Sequence, residues 1–157
     1  MVKQKKFRCS VFIALFILLF NRDGIDAQAA ETYYAPRIDN FAIELPLNGL
    51  QGNPSRGQQI VTRLDKGNCL ACHSMPITRE AFHGTIGPPL HGLASRRTEG
   101  QVRLHIVDQQ KINPATIMPG FYKNPQELNL VLDEYYGKTF LSAQEVEDVV
   151  AYLMTLE

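Results

Sequence analysis

Apolar and polar positions fall into a helical rhythm at three places in the chain. The clearest is near the C-terminus, where Val146, Val149, Val150 and Leu153 repeat at i, i+3, i+4 and i+7, the stripe of a helix with one buried face. Ser142-Ala143-Gln144-Glu145 stands just ahead of that stripe and has the form of a capping box, which marks the helix start. A second stripe, Ile60, Val61 and Leu64, follows Asn53 and Pro54. Asparagine at the N-cap and proline at the first helical position are both favourable there. Gly57 inside this stretch costs helix stability, so either a close approach by another helix calls for it or the helix simply tolerates it. Glu99 to Gln109 predicts a short middle helix with Val102 and Ile106 turned inward.

Between these segments the rhythm is lost. Residues 30–52 contain Pro36, Pro46, Gly49 and Gly52 and show no helical period. They read as an extended lead, either disordered or laid along a partner. Gly84 to Gly92 and Asn113 to Gly120 are rich in proline and glycine and read as loops. No convincing strands or internal repeats occur. The expected architecture is all-α.

The start of the chain has a different character. Lys3, Lys5, Lys6 and Arg8 precede an unbroken apolar run from Val11 to Phe20, and Ala27-Gln28-Ala29 supplies a small-x-small site. The run is about half of the ~20 residues needed to span a bilayer, and Asn21, Arg22 and Asp23 end it. Residues 1–29 are therefore expected to be a cleaved signal peptide rather than an uncleaved anchor. That leaves a periplasmic chain with no membrane span, a lead at 30–52 and a folded domain at 53–157.

Removal of 1–29 changes the charge. The full chain has 16 basic and 16 acidic residues, and the segment takes five basic and two acidic side chains with it. Eleven basic and fourteen acidic residues remain, a net charge of −3. No basic patch points to nucleic acid or an anionic membrane. The same cut removes Cys9 and leaves Cys69 and Cys72.

Those two cysteines sit in Cys69-Leu70-Ala71-Cys72-His73. Cys-x-x-Cys-His is the attachment signature of c-type haem. Each thiol forms a thioether with one vinyl group, and the adjacent histidine offers its imidazole to the iron. A disulfide, a redox dithiol and a zinc site are the competing readings. The dithiol needs a thioredoxin-like strand context, which this region lacks. Zinc needs two further ligands, and His83 and His91 come without a second cysteine pair.

A low-spin carrier needs a sixth iron ligand. Met118 lies in Asn113-Pro114-Ala115-Thr116-Ile117-Met118-Pro119-Gly120, a loop able to lay a thioether over a flat macrocycle. Met75 is too near His73 to reach the opposite face, and Met154 belongs to the C-terminal helix. His83, His91 and His105 are the alternative ligands. A carbonyl of the 84–92 loop is placed to accept the second ring N–H of His73, fixing the imidazole.

The order of these pieces resembles a class I cytochrome c. Gly87-Pro88-Pro89-Leu90-His91-Gly92-Leu93 is similar to the proximal proline loop of that class. By that match Pro88 supplies the carbonyl for His73, and Arg96 falls near a haem propionate. A narrower resemblance runs from Asn53 to Glu157. It rests on the haem motif, Gly84-Thr85-Ile86-Gly87-Pro88-Pro89-Leu90, Asn113 to Pro119, and Leu141 to Leu153. Together these look like SoxX, the monohaem cytochrome subunit of the SoxAX thiosulfate-oxidation complex.

The resemblance implies a partner, SoxA, a dihaem or monohaem cytochrome bearing the catalytic cysteine of the thiosulfotransferase reaction. It also implies a SoxYZ carrier reached through the complex and a small acceptor cytochrome downstream. This chain would be the electron outlet, with no catalytic residue of its own. Methionine ligation suits that role because it raises the haem potential. A free-standing periplasmic cytochrome c is the alternative. A haem enzyme or sensor would need an open or easily displaced sixth site.

Overall fold

A computed structural model describes residues 33–129 and 131–157. The proposed signal peptide, 1–29, lies outside the described residues. Among the described residues three α-helices carry the fold: α1 at Pro54–Thr62, α2 at Glu99–Asp108 and α3 at Ala143–Leu153. Short 3-10 turns and irregular loops fill the rest. Among the described residues the only β-type pairing is an isolated bridge between Asp39 and Ala42. No described helix is long and apolar enough to cross a membrane.

Each helix starts where its sequence supplies a cap. The Asn53 side chain accepts from the Arg56 N–H at 3.1 Å, with Pro54 in the first turn. Ser142 accepts from the Glu145 N–H at 3.1 Å, and the Glu145 carboxylate accepts from the Ser142 N–H at 2.9 Å. At α2, Thr98 and Gln101 form the same reciprocal pair.

The predicted apolar faces are buried. Ile60 and Val61 of α1, Val102 and Ile106 of α2, and Val146, Val149, Val150 and Leu153 of α3 all join one core. α1 crosses α3 at Gly57. A Cβ there would stand 2.0 Å from the Asp148 carbonyl oxygen and 2.7 Å from the Tyr152 Cβ, so of the two readings of this glycine it is the close helix contact that holds. Leu64 departs from expectation. α1 ends at Thr62 and Arg63 turns extended, which leaves Leu64 in the following turn and 86% exposed.

The lead differs more. Ala42, Ile43 and Leu47 are buried in the chain's own core, so a core starting near Asn53 gives way to one that includes this segment. The Ile43 N–H donates to the Gly100 carbonyl at 3.0 Å, and the Leu47 N–H donates to Glu147 at 2.9 Å. Tyr34 donates its backbone N–H to the Tyr122 hydroxyl at 3.0 Å.

Buried charges hold these parts together. Arg103 is fully buried on α2. It donates to both Glu147 oxygens at 2.8 and 2.9 Å, to the Ile43 carbonyl at 2.7 Å, and to Glu99. The next residue, Asp148, accepts from the Asn53 N–H at 2.7 Å, from Arg56 at 2.6 and 2.8 Å, and from Gln144 at 3.0 Å. Charged groups in such positions need complete pairing, and both carboxylates have it.

Candidate functional site

Cys69–Ala71 forms a single 3-10 turn entered through Asn68 in a left-handed conformation. The N–H groups of Cys72 and His73 both donate to the Cys69 carbonyl, at 3.1 and 2.8 Å. One tight turn thus carries both thiols, three residues apart, with His73 directly after. Both cysteines are free and half-buried. Burial pushes the Cys69 thiol up to about 12, against a backbone hydrogen bond that pulls it down, and Cys72 adds to the rise. A redox dithiol needs the opposite, a depressed thiol. A metal cage is also lacking: among the described residues no three His, Cys, Asp or Glu side chains converge to hold an ion.

His73 is oriented from behind. Its Nδ1 lies 2.7 Å from the Pro88 carbonyl oxygen. A carbonyl only accepts, so Nδ1 carries the proton and Nε2 keeps its lone pair. This is the arrangement of a metal-binding imidazole with its tautomer fixed. The loop reaches His73 because residue 87 is glycine: a Cβ there would fall 2.3 Å from His73 Cε1 and 2.5 Å from Nδ1. Backbone bonds pin the loop against the motif, from Gly84 N to Leu70 O at 2.7 Å, Gly87 N to Cys72 O at 2.8 Å, and Leu90 N to Ser74 O at 2.9 Å.

Arg96 extends this brace. It donates to the His91 carbonyl at 2.8 Å and to the Pro89 carbonyl at 3.2 Å. Both Nη atoms are thus engaged by the loop that presents Pro88, a support role that the propionate expectation did not include.

Met118 stands on the separate loop expected for it. Its N–H donates to the Thr116 hydroxyl at 3.1 Å, and the loop is tied down where Phe121 N meets the Ile106 carbonyl at 3.0 Å and Tyr122 N meets that of Val107 at 3.2 Å. The half-buried Met118 side chain lines a cavity of about 380 Å³ with Ile117, Phe121, Leu128, Leu132 and Phe140. Met154, by contrast, caps the end of α3.

Of the other histidines, His105 and His83 each engage one ring nitrogen. His105 Nδ1 pairs with Gln109, and His83 Nδ1 accepts from the Met75 N–H at 3.2 Å. The neutral His83 ring then carries its proton on Nε2, a buried atom without a protein partner. His91 lends its backbone carbonyl to Arg96.

These residues fit a c-type haem. Two thiols on one turn, an imidazole with Nε2 free and a thioether on a separate loop make up the donor set, and the thioether lines an apolar cavity. Ile86 and Ile117, one on each loop, expose 69% and 80% of their surface, apolar area of the kind a macrocycle covers. Missing from the sequence reading was the part played by Gly87. Its signal, glycine directly before the proline whose carbonyl is used, lies within the quoted motif.

Comparison with known proteins agrees with this geometry. The cytochrome c family model matches residues 54–157. A cytochrome c-553-like protein of Synechocystis sp. is 34% identical over 90 residues, covering 57% of this chain and 71% of that protein. Among solved structures, a chain in the crystal structure of SoxXA from P. pantotrophus is 38% identical, with a TM-score of 0.71, covering 81% of this chain and 98% of that one.

Proposed function

The chain belongs to the cytochrome c family, and we propose that it is the electron-transfer subunit of a SoxXA-type complex, carrying one covalent haem c in the periplasm. The observation that carries this reading is the extent of the SoxXA match. Family membership begins at residue 54, and a free-standing carrier would need no more. The SoxXA match covers 81% of the chain, more than 54–157 can supply, so it takes in residues of the lead.

The haem, when bound, supplies a one-electron iron couple. Cys69 and Cys72 would hold the macrocycle through thioethers, and His73, its ring fixed by Pro88, would offer Nε2 to the iron. Met118 would supply its thioether to the iron as well, a donor that favours a high potential. With both thiols of the folded part consumed, sulfur chemistry falls to the partner. In this reading a SoxA-type subunit conjugates thiosulfate to a SoxYZ-type carrier, and this chain passes the electrons to a small acceptor cytochrome.

Tagged holoprotein captured from a thiosulfate-grown source tests the proposal. A co-purifying SoxA-type cytochrome is expected. Recovery of the chain alone, haem intact, would instead favour a free carrier. The isolated chain should be reducible yet unable to oxidise thiosulfate, and conjugation by this chain alone would move the chemistry onto it.

A further inference from the structure

The lead contains a turn that the haem site does not use. Asp39 and Ala42 exchange both backbone hydrogen bonds, each at 2.9 Å, around a two-residue loop. Both loop residues are left-handed, Asn40 with φ 45° and Phe41 with φ 57°. Loops of this kind strongly prefer Asn-Gly, because only glycine takes the second position freely. Asn40 conforms. Phe41 does not, since a bulky side chain in that region is a genuine outlier.

Among the described residues no contact of the Phe41 ring repays that strain. Phe41 is 63% exposed, and Leu45, four residues on, is 80% exposed. The base of the turn is nevertheless rigid. Ala42 and Ile43 are buried, Ile43 N donates to the Gly100 carbonyl, and Ile43 O accepts from the buried Arg103. A strained residue fixed by its surroundings, with its side chain turned to solvent, points to a role in recognition. The turn also lies before residue 54, outside the common cytochrome c family, in the segment that the SoxXA match extends into.

We propose that the Asn40–Phe41 turn is a preformed docking knob, with Phe41 entering an apolar pocket on the second subunit of a SoxXA-type complex. This rests on the partnership proposed above and adds the place of contact. A rigid aromatic presented in advance loses little entropy on binding, and buried aromatics of this kind carry a large share of interface energy.

Phe41→Gly tests the idea because it moves stability and binding in opposite directions. The change creates Asn-Gly, the preferred pair, so the free holoprotein should melt at the same temperature or higher. Its Kd for the separately purified SoxA-type subunit of the same source, by calorimetry, should rise at least tenfold, as for truncation of an interface anchor. An unchanged Kd alongside tight wild-type binding would overturn the docking role and leave the partnership standing. A lower melting temperature would make Phe41 a structural residue and overturn it too. Absence of wild-type binding would remove the partnership itself. Self-association of the wild-type chain that Phe41→Gly abolishes would assign the knob to a second copy instead.

Discussion

Gly57→Ala should destabilise the protein without touching its haem. The added Cβ would sit 2.0 Å from the Asp148 carbonyl oxygen, 2.6 Å from its carbonyl carbon and 2.7 Å from the Tyr152 Cβ. Carbon contacts settle near ~3.5 Å or more, so α1 and α3 must part by roughly an ångström. The obstacle is backbone, which cannot swing aside as a side chain would. Overpacking of a close-packed core costs about 1–3 kcal/mol, and here the upper part of that range applies. Alanine returns about 1 kcal/mol of helix propensity over glycine. The net loss is about 2 kcal/mol, or a fall in Tm of roughly 5–10 °C for a domain of this size. Thermal melts of wild-type and variant holoprotein, followed by far-ultraviolet circular dichroism, measure it, and the reduction potential of the variant should match wild type. An unchanged or raised Tm would mean that the two helices have slack at their crossing, and the reasoning would fail.

Gly87→Ala should act on the iron instead, because its Cβ would fall 2.3 Å from the His73 ring. A displaced imidazole is expected, seen as a lower potential or mixed-spin haem spectrum, and a native spectrum would refute the close packing. Met118→Ala should keep the covalent haem but lose the methionine-to-iron charge-transfer band and bind added imidazole; a retained band would transfer ligation to another residue. Burial raises the Asp148 carboxyl, but hydrogen bonds from Arg56, Asn53 N–H and Gln144, with the Arg56 charge, bring it below its ordinary value. Its stabilisation is therefore present above the unfolded pKa of ~3.9 and lost as pH falls through the lower folded value. Asp148→Asn should cost about 2 kcal/mol at neutral pH, as for lost charge-assisted hydrogen bonds, and flatten the decline of the urea midpoint below about pH 4. An identical acid profile would exclude Asp148 as its source.

The helices were legible because their signals are local. Asn53 with Pro54, and Ser142 with Glu145, act within one turn of the chain, and the stripe of α3 lies on its buried side, whereas α2 is buried well beyond Val102 and Ile106, Arg103 and Leu104 included. The lead was not legible. Ala42, Ile43 and Leu47 follow no period among the prolines, and their partners lie far along the sequence: Leu47 N meets Glu147 a hundred residues later. Glu147 and Asp148 read as polar members of an amphipathic helix, yet both are buried, because Arg103 and Arg56 come from distant segments to pair with them. At the site, the Cys69-to-His73 motif announces its chemistry directly, and the contact of Pro88 followed from resemblance. The engagement of Arg96 with two loop carbonyls depends on a three-dimensional path of the loop that residue order alone does not express.

The consecutive pair Glu147 and Asp148 also sets an order of events. Through these two residues α3 fastens the lead, the start of α1 and α2, across sequence separations of 100, 95 and 44 residues. Closing a loop of about 95 residues costs about 4 kcal/mol in chain entropy, and nothing repays it until the last helix exists. The fold therefore cannot lock during synthesis. Its final clasp is among the last residues made, and contacts of such long range fold slowly. Cys69 and Cys72 lie in the first quarter of the loop that waits to be closed. Until α3 docks, the long-range ties around them are those of Ile43 to Gly100 and Arg103 and of Tyr34 to Tyr122. A nascent chain cut short before Glu147 would keep its attachment motif and lose the means to shut around what it had bound.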